Sequence, residues 1–585
     1  MNILNSKEEK KFKLLVIILG IGLVSLYGSQ IHSLHTVWEL GDEAGYLWNA
    51  AYFVGTDWSS FASVYAYYGY GYSVILTPLF WITKNGVQII RGAYIINIIC
   101  VLGMYFIIIK LLKNIGNRLY NIIPFIAFLT CIIPYVASNT LKVLCETFLT
   151  FWYSLLVLLL YLYLKKGKTI YAVLLGISGA FIFFIHTRAI VVTGMLGMTL
   201  FLTAVKKRGL YLKNFLIFLS VAVIAFLLLY GIKVDITNFK YGIKGTEEVA
   251  TAQNGNMVTT NYIFERLRWL WNDPINVIAV FFAKIFYSVI ATSLFLIPGF
   301  ICMGKQLWIK ILKEKYVDKE QEEFAGLIVK SFIMVTFVLM VTACAVNGTG
   351  NDIRYAFYGR YYEFTIPVLF SFCMYFFFDE KDHISKKEMF LCVLFVILIG
   401  VGVWQWFISY LSYQSISVDT MRISAITKAV TVSEDIDGVM GYLIMTSVAM
   451  FIIYIFIAKK KYGKGIIICF TCVYLWSNTS LCIERIQTVH KESLGDTELA
   501  EYILENMDTQ KIYMLDDRSY KYPYFYSRMQ VLLKDKRLYV ITPSDYEQIE
   551  DGSYIVAYVN TELKNTILLK ADFLKSGSVF VLYQK

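Results

Sequence analysis

Charge is scarce in this chain, and so are histidine and proline. Only 17% of its 585 residues are Asp, Glu, Lys or Arg, and it has five His and eight Pro. Soluble domains carry about 25% charged residues. Against 57% hydrophobic residues and a mean hydropathy of +0.58, so low a fraction excludes an ordinary soluble fold. No glycine fingerprint for dinucleotides or phosphates occurs, and no internal repeat or low-complexity tract. All ten Cys lie within or at the edges of apolar runs, so they read as small buried hydrophobes. That placement excludes a disulfide framework and a thiolate metal site.

What the chain does have is apolar length. A membrane-spanning helix needs about 20 mostly apolar residues, and such runs lie near 13–30, 87–110, 119–137, 141–164, 169–186, 189–205, 214–231, 276–301, 327–346, 363–378, 388–409, 439–458 and 465–482. This predicts an α-helical polytopic membrane protein of about thirteen spans by the same length criterion. The two runs around His186 and Arg188 are short, so they bear on the count of spans. Lys and Arg are retained on the cytoplasmic side of short loops. With Lys10, Lys11 and Lys13 inside, the clusters at 110–118, 165–168, 206–208, 305–319, 386–387 and 459–461 fall on that side too. The net charge of +11 therefore reflects topology and anionic lipid rather than nucleic acid. The first run lacks a small-residue cleavage site and reads as an uncleaved helix with a cytoplasmic N-terminus. Low proline with Lys-, Ile-, Tyr- and Asn-rich usage points to a bacterial plasma membrane.

The opposite, extracytoplasmic side receives the polar residues suited to chemistry. Residues 31–86 form a first external loop. Its 39–53 segment reads as an amphipathic helix on the bilayer surface, and its Tyr/Gly run 65–72 lets backbone approach closely. Lys142 and Glu146 stand four apart, on one helical face near a span's external end. Gly176 and Gly179 permit close helix packing before Arg188. The loop 232–275 is long enough to act as a lid over a cleft, or is a plain surface loop. Residues 347–363 gather Asp352, Arg354, Arg360 and Glu363 among tyrosines at a span entrance, an expensive arrangement unless something binds there. From 483 the pattern alternates: helix 497–507, strand 511–515, helix 520–533, strands 538–541 and 554–559, helix 564–574, strand 579–583. This predicts domains at 1–482, transmembrane, and 483–585, an extracytoplasmic α/β accessory domain.

A transferase at a membrane surface must deprotonate an acceptor while a sugar–phosphate bond breaks. An aspartate suits the first task, and charge-assisted bonds from Arg or Lys suit the second. With those requirements, Gly41-Asp42-Glu43-Ala44-Gly45-Tyr46 after the first span, the aromatic stretch 67–72 running into Pro78, Glu146, the 179–188 segment and Gly359-Arg360-Tyr361-Tyr362 ahead of Pro367 resemble the GT-C fold glycosyltransferases. The nearest group is that of protein O-mannosyltransferases and aminoarabinose transferases. In layout the resemblance runs from the N-terminus to the neighbourhood of Glu380, through short motifs. It implies a polyprenyl-phosphate-linked sugar donor and inverting transfer to an external glycan, lipid or protein. By that resemblance Asp42 is the candidate base and Glu43 its support. Arg188, Arg354, Arg360 and Lys142 are candidates for the donor phosphate, and Tyr46, Glu146 and Tyr361 for the sugar or acceptor pocket.

The first loop lacks a spaced Asp-x-Asp, so no cofactor and no obligatory metal is predicted, although His32, His35 and His186 are potential ligands beside Asp42. Three other readings stay open, one of them a non-catalytic surface receptor that uses the C-terminal domain and for which Asp42 is dispensable. A lipid-linked polysaccharide polymerase or ligase would rely on external Arg rather than on a first-loop acid. A flippase or transporter would carry charges deep within spans, whereas here they are expected at external ends.

Overall fold

The computed structural model describes residues 6–37, 40–58, 69–115, 119–241, 268, 271–312, 333–344, 356–380, 385–410, 424–433, 435–457, 462–507, 511–516 and 525–585. Ten helices fill the first half: α1 (Ser6–Gly28), α2 (Leu40–Phe53), α3 (Gly71–Ile82), α4 (Gly86–Ile115), α5 (Ile123–Cys131), α6 (Pro134–Thr140), α7 (Cys145–Lys166), α8 (Thr169–Ile185), α9 (Ile190–Lys207) and α10 (Leu210–Tyr241). The later apolar helices are Pro274–Ala291, Leu296–Leu312, Ile333–Cys344, Ile366–Glu380, Lys386–Tyr410, Ile436–Ile457 and Gly463–Glu492.

Among the described residues, nine helices are long and apolar enough to cross a membrane, and the bent pair α5 and α6 makes a tenth if it is one span. The expected runs are helical, but breaks shorten several of them. Pro134 opens α6 after a bend of 58° from α5; proline has no N–H to continue the preceding helix. The run 276–301 is interrupted where Ser293 and Leu294 adopt φ of 48° and 68°. The runs around His186 resolve into α8 and α9, joined by the short turn Thr187–Ala189.

Outward-facing stripes such as Leu216, Leu219, Val223 and Leu227 on α10 are exposed, as lipid-facing positions must be. Most enclosed of the spans is α7, whose apolar window is 78% buried, between α4 and α8. Close backbone approach is built in where expected. A Cβ on Gly71 would lie 2.8 Å from the Ile185 nitrogen, and one on Gly176 would lie 2.9 Å from the Phe218 carbonyl oxygen.

Two expectations about the first half of the chain are corrected. Segment 39–53 is helical over α2, but it lacks the open polar face of an amphipathic surface helix: residues 43–51 are buried, because α3 and the helix Phe525–Leu533 pack over it. Lys142 and Glu146 do not share a helical face. α6 ends at Thr140 and α7 starts at Cys145, so Lys142 sits in the break between them. The proposed lid at 232–275 lies mostly outside the described residues; its first part, 232–241, continues α10.

At the C-terminus, strands β1 (Ile512–Leu515), β2 (Leu538–Ile541), β3 (Tyr554–Tyr558), β4 (Asp572–Ser576) and β5 (Phe580–Gln584) form one sheet in the order β2-β1-β3-β5-β4. β1 runs parallel to β2 and β3, while β5 is antiparallel to β3 and β4. The helix Phe525–Leu533 is the crossover that a parallel β1–β2 pair requires. The expected helix 564–574 is absent. The turns Glu562–Asn565 and Ile567–Lys570 lead instead into β4, where Phe573 stands opposite Tyr583. The boundary placed at 483 falls within the continuous helix Gly463–Glu492, which carries the chain directly into Leu494–Asn506 and the sheet.

Candidate active site

Four charged side chains from four separate parts of the sequence form one alternating chain. Asp42 lies in the first turn of α2, a favourable place for a carboxylate because the helix dipole is positive there. Glu146 occupies the first turn of α7 for the same reason. Arg360 lies between them, donating from Nη1 to Asp42 Oδ2 and from Nε to Glu146 Oε1. Arg188, from the turn after α8, donates from Nη2 to the same Glu146 oxygen at 3.1 Å. Its guanidinium also lies 5.5 Å from the centroid of Tyr361 and 5.9 Å from that of Phe364. Two carboxylates and two guanidiniums balance to zero, which allows the cluster to be buried at all.

Exposure separates the members. The Arg188, Arg360 and Glu146 side chains are 6%, 7% and 4% exposed, whereas Asp42 is 26% exposed. Asp42 is thus the end of the chain that faces solvent.

The other expected site residues are distributed around this cluster. Glu43 points inward: it is fully buried and its Oε1 accepts the Val143 N–H at 2.5 Å, which ties α2 to the break before α7. Lys142 in that break is also fully buried, and its backbone carbonyl accepts from Asn97 Nδ2 at 2.7 Å. Tyr46 lies beneath Asp42 rather than in an open pocket. Its hydroxyl donates to Cys145 Sγ at 2.8 Å and its ring meets Tyr72 edge-on. Tyr361 is half-buried against Arg188. Asp352 and Arg354 lie outside the described residues.

His186 caps the Thr187–Ala189 turn, its Nδ1 accepting the Arg188 N–H at 3.4 Å. Burial, and then the Arg188 charge, hold its imidazole well below the usual range, so it is neutral. Among the described residues no three His, Cys, Asp or Glu side chains converge as metal ligands would.

Behind Arg360 lies a second polar layer, of which the sequence pattern singled out only Glu363. That residue, on the turn ahead of the span Ile366–Glu380, accepts a hydrogen bond from the Tyr287 hydroxyl at 2.6 Å. Burial pushes its carboxyl up to about 8. Gly359 makes room for it, since a Cβ there would lie 2.7 Å from the Glu363 carboxyl carbon and the Tyr287 ring. Lys284, within the span Pro274–Ala291, donates to the Tyr358 carbonyl at 3.1 Å and to that of Ala356 at 3.4 Å, fixing the segment that delivers Arg360. This charge inside a span departs from the expectation that charges sit only at external ends. A lone Lys within an apolar run was the signal for it.

These features define a polytopic α-helical membrane protein of GT-C-like fold, with an α/β domain at its C-terminus and a buried ion chain ending at a solvent-facing aspartate. No protein-family model and no curated protein sequence matches the chain. Among solved structures it is similar to ArnT from Cupriavidus metallidurans bound to undecaprenyl phosphate. That similarity covers 97% of both chains, with a TM-score of 0.52 and 11% identity. The apo form of the same protein gives 0.48 and 10% over the same coverage. At such identity the likeness is one of fold, and it extends past Glu380 to include the C-terminal domain.

Proposed function

We propose that this chain is a membrane glycosyltransferase that moves a sugar from a polyprenyl-phosphate carrier to an extracytoplasmic glycan, lipid or protein, with Asp42 as the general base. The observation that carries the reading is the ion chain itself, in which only Asp42 is substantially open to solvent. The fold shared with an ArnT whose structure holds undecaprenyl phosphate supports the class of carrier.

In this reading the acceptor hydroxyl or amine gives its proton to Asp42 as its oxygen or nitrogen attacks the anomeric carbon. The bond from that carbon to the phosphate oxygen breaks on the opposite face, so a single displacement inverts the centre. The electron pair leaves with the lipid phosphate. Arg360 and Arg188 are placed to receive that charge, because each already holds a carboxylate and exchanges one anion for another without stranding a buried cation. Lys142 and Glu43, both fully buried, support the fold beneath. The distribution of Lys and Arg supports an extracytoplasmic site and a cytoplasmic N-terminus, and the low proline with Lys-, Ile-, Tyr- and Asn-rich usage supports a bacterial plasma membrane.

The test is the mass profile of surface glycans and glycolipids in cells with the wild-type chain, Asp42→Asn at matched membrane levels, or no chain. One sugar absent from both the null and Asp42→Asn supports acid-dependent transfer and identifies the donor. A wild-type profile from Asp42→Asn refutes the role of Asp42.

A further inference from the structure

The C-terminal domain is built into the first loop. Trp58 Nε1 donates to the Lys534 carbonyl at 2.9 Å, and the Trp58 carbonyl accepts from Trp48 Nε1 of α2 at 2.8 Å. The Lys534 side chain, 5% exposed, donates from Nζ to the carbonyls of Phe80 and Thr83, both at 2.9 Å. These are orphan acceptors at the C-terminal end of α3, which an ammonium satisfies while complementing the negative end of the dipole. The same ammonium lies 3.1 Å from Asp535 Oδ1, whose side chain is 42% exposed.

Three further contacts close the seam. Arg537 pairs with Asp57 at 2.5 Å. His490 Nδ1 accepts the N–H groups of His35 and Thr36 at 3.3 and 3.2 Å, just ahead of α2. Gly86 is pressed so close to the helix Phe525–Leu533 that a Cβ would lie 2.7 Å from the Leu532 Cα. Lys534 itself holds φ at +21°, in the region that favours glycine. A long cationic side chain is kept where the backbone would prefer none.

We propose that Lys534 is a positioning residue for Asp42. Through Lys534 the C-terminal domain fixes α2 and the end of α3, and so sets Asp42 against Arg360. The proposal rests on the reading of Asp42 as the base; its mechanical part does not. Two bonds link the Lys534 carbonyl to Trp48, and Trp48 is under two helical turns from Asp42 at 3.6 residues per turn. A loosened α2 would leave the buried cluster in place and let its exposed end wander. A misplacement of about 1 Å in a reacting group costs up to about a hundredfold in rate.

The experiment uses the full-length protein in lipid nanodiscs with Lys534→Met, which keeps the bulk and removes the donors, and Lys534→Gly, which relieves the backbone but also removes the donors. Trp58→Phe serves if both fail to fold, because it deletes the Nε1 donor to the Lys534 carbonyl and keeps an aromatic side chain. Amide hydrogen exchange is read over residues 40–53 and 76–86, with Ile436–Ile457 as the control. We expect exchange in the first two segments to rise about tenfold with the control unchanged. Transfer kcat should fall about ten- to a hundredfold at unaltered donor KM, and Lys534→Arg should recover most of it. Unchanged exchange in α2 overturns the proposal, as does raised exchange with unchanged kcat. If the wild-type chain transfers no sugar, the reading of the site fails instead, and exchange in α2 still decides whether Lys534 holds it.

Discussion

Arg360 donates through Nε to Glu146 across 214 residues of sequence, and the same guanidinium reaches Asp42 through Nη1 across 318. Arg188 meets Glu146 from the other side. The site is therefore a junction of four distant segments, and its charges depend on one another.

Removing one member exposes that dependence. Glu146→Gln leaves two buried guanidiniums with one carboxylate, and loss of a buried ionic partner costs about 3–5 kcal/mol. The melting temperature should drop clearly in Glu146→Gln. Arg360→Lys keeps the charge but not the fork that holds two carboxylates. It should fold and lose about 10²–10³ in transfer rate, as losing one preorganised donor does. Thermal unfolding and transfer assays on the same preparations separate the two effects.

The adjacent acids should behave differently. Glu43→Gln keeps an acceptor for the Val143 N–H, so it should cost about 1 kcal/mol and leave transfer of the same order as wild type. Asp42→Asn should cost less stability than Glu146→Gln, because Asp42 is 26% exposed, and should abolish most transfer. Equal activity losses in the two variants would place both acids at the reacting atoms.

Glu363 gives the protein a pH dependence of known sign. Its folded value of about 8 lies above the ordinary 4.5. The stability held by its protonated form is thus fully present below about 4.5 and lost as pH rises through about 8. Glu363→Gln should remove that dependence and be the more stable protein at pH 8 to 9, measured as melting temperature against pH.

Gly359→Ala should clash with the Glu363 carboxyl and the Tyr287 ring. Overpacking of this kind costs about 1–3 kcal/mol. Because Arg360 is the next residue, transfer should fall more than stability does, which activity normalised to folded protein will show.

Much of this was legible in the sequence. Apolar length located the helices. Asp42, Glu146, Arg188 and Arg360 each stood out as a charge beside an apolar run. Their convergence was not legible, because pairing between segments so far apart in the chain leaves no periodic trace. Lys142 and Glu146 misled for a local reason: the i, i+4 rule assumes a continuous helix, and the chain breaks between Thr140 and Cys145. Residues 564–574 looked helical but form two turns, after which β4, from Asp572, is drawn onto the edge of β5. The burial of α2 was hidden for the same tertiary reason, since part of its cover is the helix Phe525–Leu533 from the far end of the chain.

The most direct test uses purified protein in liposomes, with the lipid-linked sugar identified from the missing envelope mass, and measures donor binding and single-turnover transfer separately. The account predicts that Asp42→Asn binds donor as wild type does and transfers about 10²–10⁴ more slowly, the usual worth of a positioned base. Transfer by Asp42→Asn at the wild-type rate would contradict it.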